Sequence, residues 1–534
     1  IHKNVSVYGD LTTLVPALPS AHVHGCFVIN ESDIDFGDRQ TINTSIVPVG
    51  DRPIRLPSEQ IDMSTLSHLT DRQRSQLLSL LDRYSSCFDE VPAFCSLVTH
   101  RMQMMPDFKP KRFKAYRVPE KLKPAVSAEI RRLIDLKFIT PTDSPQVSPL
   151  VCIMKGKTIE DGIRLAVDYK QVNVSTVDNH HPIDNIPDLI HKIGRSNYIS
   201  CFDARSGYWQ TGVEKSQQWL TAFICDDGTF SWTRTPFGLK SAGYTYTRCL
   251  KKMLEPVKEY TASYIDDAAV YSDGWSAHMK HLDKFLSEIQ KSGFTFNLRK
   301  CSFAQPEVKF VGRIVGSGMH RPDPAKVATV DNLKRPETQK EVRQMLGFFA
   351  HFATYIPSYA HISKCLTDLT SKRKTNRVNW SSEHEQAFVK LKQLLCDATA
   401  KPLHVIDFEL PFIISTDASG YAVSGILSQS DEQGTEKPIA FTRRKLSQSQ
   451  EHAWCTIEKE AYAVIHSLSQ FRDWILFSKV YIFSDHNPLQ YLTENAPKSS
   501  KLTRWSLALQ EFNISFHYRP GKQNIPADTL SRLC

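Results

Sequence analysis

The chain has 534 residues, enough for three or four domains at roughly 150 residues each. Its 41% hydrophobic and 23% charged residues exclude wholesale disorder, and no apolar run approaches the ~18 residues a membrane-spanning helix needs. The first 100 residues carry 7 Lys/Arg against 12 Asp/Glu and the remaining 434 carry 59 against 45, so a basic body of net +14 follows an acidic leader and points to a polyanionic partner.

In chain order, residues 1–60 are rich in Pro, Ser and Asp, show no period and read as a linker. The chain begins at Ile1 without Met or a signal peptide, so a piece of a longer product is expected. Thr70 and Gln73 form a capping-box pattern ahead of Leu77, Leu78, Leu80, Leu81 and Phe88. Arg101 to Lys137 holds 11 Lys/Arg against 4 Asp/Glu, interleaved with Phe108, Phe113 and Tyr116. Strands are expected at Ser148–Met154 and, after an Asp161-Gly162 hairpin turn, at Ile163–Asp168. Further strands are expected at Tyr198–Asp203, Trp219–Cys225, Tyr264–Tyr271 and Val308–Val315, with a helix at Ser276–Ser292 before the last.

After Pro322 the pattern turns helical. Capping boxes at Thr338/Glu341 and Ser382/Glu385 precede apolar faces on Val342, Met345, Leu346 and Phe349, and on Phe388, Leu391, Leu394 and Leu395. From Val405 a second α/β unit begins. Its strands are Phe412–Asp417, Ala422–Gln429, Ile439–Arg443, Val480–Asp485 and Asn513–Tyr518, with helices at Ser447–Trp474 and Lys501–Phe512. The twelve Cys include no C-x-x-C pair, which argues against zinc sites and disulfide scaffolds; Cys201, Cys225 and Cys249, in apolar stretches, read as buried thiols.

Two carboxylate groups stand out. Asp266-Asp267 lies at the tip of an expected hairpin, where a bare Asp pair is ordinarily a solvated turn, as at Asp226-Asp227-Gly228. Asp203, however, ends a strand on the face of Ile199 and Cys201, where a carboxylate is costly unless paired or bound to a cation. Three carboxylates converging on Mg²⁺ resolve both anomalies, and two such ions about 4 Å apart serve nucleotidyl transfer. In the second group, Asp417 and Asp485 end two sister strands. Glu460 shares the helix face of Ile457, Ala461, Val464 and Leu468, whereas Glu458 points elsewhere. Asp528 follows Pro526-Ala527 at an expected helix start, where an N-cap is the plain alternative.

The runs Phe202-Asp203-Ala204-Arg205-Ser206-Gly207-Tyr208-Trp209-Gln210, Pro236-Phe237-Gly238-Leu239-Lys240 and Tyr264-Ile265-Asp266-Asp267 resemble reverse transcriptases. With Arg164-Leu165-Ala166-Val167-Asp168-Tyr169, Lys300-Cys301-Ser302-Phe303 and Arg321-Pro322-Asp323-Pro324, their order is similar to the Pol polyprotein of gypsy-type (Metaviridae) LTR retrotransposons, over about residues 65–534. The runs around Asp417, Glu460 and Asp485, and Tyr518-Arg519-Pro520-Gly521-Lys522, resemble the ribonuclease H of the same elements.

This resemblance implies an α+β multidomain chain. A right-hand polymerase (fingers and palm at 65–321, helical thumb and connection at 322–404) precedes a ribonuclease H-like α/β domain at 405–534, and a leader, 1–64, follows an upstream protease part. It implies an RNA- and DNA-directed DNA polymerase that copies retroelement RNA, with a ribonuclease H that degrades the RNA strand of hybrids. Asp203, Asp266 and Asp267 are implied as polymerase ligands of two Mg²⁺ ions, and Asp417, Glu460, Asp485 and Asp528 as the ribonuclease ligands of two more, with Mn²⁺ as an alternative. Tyr208 is implied as a steric gate under the sugar, Arg164 and Lys157 as nucleotide contacts, Phe237 as a pocket wall, and Phe310-Val311-Gly312 as the primer grip.

Implied partners are RNA and DNA template-primer, dNTPs, and the protease and integrase parts of the same polyprotein. A homodimer is left open, no membrane is expected, and the location is the cytoplasm, within virus-like particles, with nuclear access. Two departures concern packing: Ala242-Gly243-Tyr244 replaces the family's Ala-Pro and small residue, and Ala268-Ala269 replaces bulkier aliphatics. A third is Tyr518, which falls on the family's loop histidine with His517 beside it. The competing reading is a catalytically decayed or domesticated nucleic-acid-binding protein; loss of even one carboxylate favours it, and all seven are present.

Overall fold

The computed structural model describes residues 55–154, 162–178, 182, 184–331, 333–357, 359–371, 377–485, 500–520 and 524. The leader up to residue 54, Asp161, Lys157 and Asp528 lie outside them. The folded body starts earlier than expected, because Pro57–Gln60 and Met63–Leu66 are short helices. Leu66 and Leu69 are buried against Leu77, Leu80 and Leu81 of helix Asp71–Arg83, whose capping box closes through Thr70 and Gln73.

A five-stranded sheet follows, in the order Ile139–Pro141, Gly228–Trp232, Phe223–Cys225, Ser148–Met154, Ile163–Val167. Helix Lys123–Asp135 covers it with Val126, Ile130 and Leu133. The expected strand at Trp219–Cys225 forms only from Phe223; Lys215–Thr221 is a 3₁₀ helix. Thr221 explains the break: its hydroxyl accepts the Trp232 N–H (2.9 Å) and its carbonyl accepts the Tyr169 hydroxyl (2.8 Å), so strand pairing gives way to side-chain bonds.

The next sheet is antiparallel, in the order Ser302–Gln305, Tyr198–Asp203, Asp267–Ser272, Thr261–Tyr264. Helices Ala242–Leu254 and Trp275–Ser292 bury Tyr246, Leu250, Phe285 and Ile289 in one core with Phe202. Helix Ile186–Gly194 closes the other face with Leu189 and Ile193 against Ile199 and Ala269. The expected strand Val308–Val315 is a hairpin of Glu307–Phe310 and Arg313–Gly316, turned by Val311 (φ 47°) and Gly312 (φ 73°). Two left-handed residues in a row give the tight two-residue reversal whose twist matches the strands, and Gly312 is the one that takes this conformation without strain.

Helices Gln339–His351 and Ser382–Ala400 share a core through Val342, Phe349, Phe388 and Leu391. The second cap is shifted by one residue from expectation. Ser381 pairs with His384, while Glu385 accepts the Trp380 indole N–H at 2.7 Å.

The last sheet runs Glu436–Lys445, Ala422–Ser430, Phe412–Ala418, Lys479–Ser484, Asn513–Tyr518; its first two pairings are antiparallel and its last two parallel. Helix Thr456–Ile475 lies on it so closely that a Cβ on Gly425 would meet Ser467 Oγ at 2.0 Å. The single helix expected over Ser447–Trp474 is two, Gln448–Ala453 and Thr456–Ile475. At the break Trp454 is extended, and its indole meets Tyr462 (5.1 Å) and Trp505 (5.4 Å) edge-on. This unit docks on helix Ile186–Gly194 through Arg195–Asp407 (3.0 Å), Ile406 N–H to His191 Nδ1 (3.1 Å) and Trp474 Nε1 to Asp188 (3.3 Å). Among the described residues, no helix is long and apolar enough to cross a membrane.

Candidate active sites

The first site is built by strand register. Asp203, last in its strand, pairs directly with Asp267, first in the neighbouring strand. Ile265 at φ 51° turns the tip between them, and the Asp266 carbonyl accepts the Ala204 N–H at 3.1 Å. The backbone therefore holds three carboxylates together against their repulsion. Asp266 is itself exposed at the hairpin tip, yet desolvation by the atoms packed around it, then Asp203 and Asp267, push it up to about 7. Burial and Asp203 push Asp267 up to about 6, opposed by a hydrogen bond from Val311 and by the charges of Lys326 and Lys300. Lys300 Nζ lies 3.7 Å from Asp203 Oδ2. The carboxyls are thus poised to exchange protons for a cation, which is the behaviour of a hard-metal site built from oxygen donors.

Around this floor the expected residues divide. Tyr208, in the turn Gly207–Gln210, meets Phe237 (5.2 Å) and Tyr246 (5.4 Å) edge-on. Burial raises its phenol to about 12, so it stays neutral. Gly207 is required there, since a Cβ would stand 2.6 Å from Tyr246 Cζ. Gly243, one of the departures in sequence, lies beside Tyr208, where a Cβ would make ordinary contact with its hydroxyl at 3.5 Å. Phe237 is 36% exposed at the edge of the cluster. Phe310, Val311 and Gly312 form the hairpin turn that reaches Asp267 through Val311. Arg164 is exposed on strand Ile163–Val167, opposite Ile153.

The second site lies at the ends of parallel strands. Phe412–Ala418 and Lys479–Ser484 run in parallel register, so Asp417 and Asp485 emerge side by side. Glu460 enters from helix Thr456–Ile475, 4% exposed beside Asp417 at 5%. One oxygen from each of Asp417, Glu460 and Asp485 lies within 4.8 Å of the others; the set Asp203, Asp266 and Asp267 does not gather to that spacing. Burial, then Asp417 and Asp485, push Glu460 up to about 9. Its Oε1 accepts the Ala418 N–H at 3.3 Å, but Oε2 is buried without a hydrogen-bond partner. An orphaned carboxylate oxygen amid two further carboxylates fits a divalent cation. Glu458, the outward control, caps its own helix and pairs with Lys501 at 3.1 Å.

Three residues here were not anticipated. Asn524, 1% exposed, donates from Nδ2 to the Thr416 carbonyl at 2.9 Å and so is anchored to the Asp417 strand. Arg519 lies over the Phe483 ring (3.9 Å), donates to Ser415 Oγ (3.1 Å) and pairs with Glu436, locking the end of strand Asn513–Tyr518. Gln210 donates to the carbonyls of Arg205 (2.9 Å) and Thr295 (2.8 Å), fixing the loop after Asp203. Tyr518 is 53% exposed, and His517 stacks on Phe483 at 5.3 Å.

Comparison with known proteins agrees with this geometry. Residues 153–315 match the reverse transcriptase (RNA-dependent DNA polymerase) family, and residues 407–512 match the RNase H-like domain found in reverse transcriptase. The chain is 33% identical over 433 residues to the retrovirus-related Pol polyprotein from transposon opus of Drosophila melanogaster, covering 79% of this chain and 43% of that one. It is 28% identical over 461 residues to the Pol polyprotein from transposon gypsy of the same organism, covering 84% and 44%. It thus spans less than half the length of these curated relatives. In fold it is similar to the foamy viral protease-reverse transcriptase solved in complex with dsDNA (TM-score 0.75, 22% identity, 89% of this chain and 98% of that one). The chain belongs to the reverse transcriptase and ribonuclease H-like region of gypsy-type retrotransposon Pol polyproteins.

Proposed function

We propose that the chain is an RNA-directed DNA polymerase, active on DNA templates too, with a ribonuclease H that cuts the RNA strand of RNA–DNA hybrids. The observation that carries this reading is the pairing of two separate carboxylate centres in one chain, Asp203/Asp266/Asp267 and Asp417/Glu460/Asp485. Divalent metal, Mg²⁺ in this proposal, supplies Lewis acidity at both centres and makes the attacking 3′-hydroxyl or water acidic. Asp203 and Asp267 hold one side of the polymerase centre through the strand pair, and Asp266 gives up its proton to complete it. Tyr208 and Phe237, edge-on to each other, form a wall that admits a deoxyribose, and the Val311 turn sets Asp267 against the primer end. In the ribonuclease centre Asp417, Glu460 and Asp485 supply the oxygens, and Asp528 completes the set.

Template-primer and dNTPs are the proposed partners, bound largely through phosphate contacts from the basic body, hence salt-sensitively. We assign fingers and palm to about 65–321, thumb and connection to 322–404 and ribonuclease H to 405–534. We place the chain with protease and integrase parts in a polyprotein of cytoplasmic virus-like particles. The test is primer extension on an RNA template with dNTPs and Mg²⁺, beside hybrid cleavage. Asp266→Asn abolishes extension and spares cleavage; Asp417→Asn does the reverse. A folded wild-type chain that binds template-primer but neither extends nor cleaves it refutes the proposal in favour of a decayed, nucleic-acid-binding element.

A further inference from the structure

Arg234 is a half-buried cation held without a salt bridge among the described residues. Its guanidinium lies over the rings of Phe94 (4.4 Å) and Phe138 (5.1 Å), and Nη1 donates to the carbonyls of Ala93 (3.0 Å) and Trp209 (3.3 Å). Burial lowers its pKa to about 10, so it stays charged at neutral pH at a real desolvation cost. A planar guanidinium can face two rings and donate to two carbonyls at once, which a neutral side chain of that size cannot.

What it holds is the turn that carries Tyr208. The backbone of Thr233–Thr235 pairs with Thr211–Val213, with Val213 N–H to Thr233 O and Thr235 N–H to Thr211 O both 2.9 Å. The Thr211 hydroxyl donates to the Tyr208 carbonyl at 3.0 Å, and Arg234 takes the next carbonyl, that of Trp209. Trp209 is wedged between Phe138 (5.6 Å) and Trp232 (5.8 Å), and Phe237 touches both Trp209 and Tyr208. The backbone that carries the Tyr208 ring is therefore tied by two consecutive carbonyl contacts, and the second comes from a cation packed against two rings.

We propose that Arg234 is a positioning residue for sugar selection, acting through Tyr208 by fixing the Gly207–Gln210 turn. This rests on the polymerase reading above. A gate works only where its ring is held against the space a 2′-hydroxyl would occupy, and displacements of about 1 Å change rates up to a hundredfold. Lysine at 234 keeps the charge but lacks the planar face and fork.

The experiment measures single-nucleotide incorporation of dGTP and GTP opposite template C by the full chain. It compares wild type, Arg234→Lys, Tyr208→Val and the double variant, with the melting midpoint of each recorded. Arg234→Lys is expected to keep kcat for dGTP while its preference for dGTP over GTP falls roughly tenfold, through a lower KM for GTP. The double variant is expected to discriminate no worse than Tyr208→Val alone. Equal losses for both nucleotides in Arg234→Lys overturn the proposal, as does unchanged discrimination. A further independent loss in the double variant also overturns it, because Arg234 then does not act through Tyr208. Should Arg234→Lys melt early, Arg234→Gln read at a lower temperature gives the same ratio. A wild type that incorporates no dGTP refutes the polymerase reading itself and the gate with it.

Discussion

Glu460→Gln is expected to make the metal-free protein more stable while removing its response to metal. Glu460 is 4% exposed, its Oε2 has no partner, and burial with Asp417 and Asp485 raises its carboxyl from the usual 4.5 to about 9. A group raised in the folded state contributes its full share below about 4.5 and loses it progressively as pH climbs towards about 9. At pH 7.5 the folded chain holds this proton and the unfolded chain has released it. At about 1.4 kcal/mol per pH unit the penalty on folding is about 4 kcal/mol. Glutamine carries none of it, keeps the oxygen that accepts from Ala418, and turns the orphaned position into a donor facing Asp417 and Asp485. With relaxation, a gain of about 1–4 kcal/mol is expected, or roughly 3–12 °C in the C-terminal transition. At pH 5 the penalty on wild type falls below about 1 kcal/mol and the advantage shrinks with it. The assay is calorimetry of the full chain at pH 7.5 and pH 5, in EDTA and in MgCl₂. Magnesium should raise the wild-type transition by mass action and leave the variant's unmoved. A variant less stable than wild type in EDTA at pH 7.5, or an advantage that does not shrink at pH 5, refutes the reasoning.

Because Asp266 and Asp267 lie near 7 and 6, metal binding at the polymerase centre should release protons and weaken as pH falls from 8 to 6; titration calorimetry in buffers of different ionisation enthalpy reads this directly, and pH-independent binding would contradict it. Gly207→Ala puts a methyl 2.6 Å from the Tyr246 ring and should cost about 1–3 kcal/mol in denaturant unfolding while lowering dNTP incorporation. Asn524→Ala removes the buried bond to the Thr416 carbonyl, should cost about 1–2 kcal/mol, and should slow hybrid cleavage while leaving primer extension unchanged.

Much of this protein is legible in its sequence because the relevant physics is local. The Thr70/Gln73 cap, the strand ending at Asp203, the Asp-Asp tip and the inward face of Glu460 depend on residues within about four positions of one another, where helix and strand periods decide orientation. The errors arise where a distant partner overrides the local pattern. Thr221 exchanges strand pairing for bonds to Trp232 and Tyr169, and the long C-terminal helix breaks where Trp454 meets Trp505. The same holds at the sites. No spacing indicates that Val311 donates to Asp267, that Arg234 holds the carbonyl beneath Tyr208, or that Arg519 crosses Phe483 to reach Glu436. The sequence by itself determined which carboxylates are present and that Glu460 faces inward. Only the tertiary structure decided which backbone amides, rings and cations hold them in place, because those contacts join segments whose separation along the chain leaves no periodic trace.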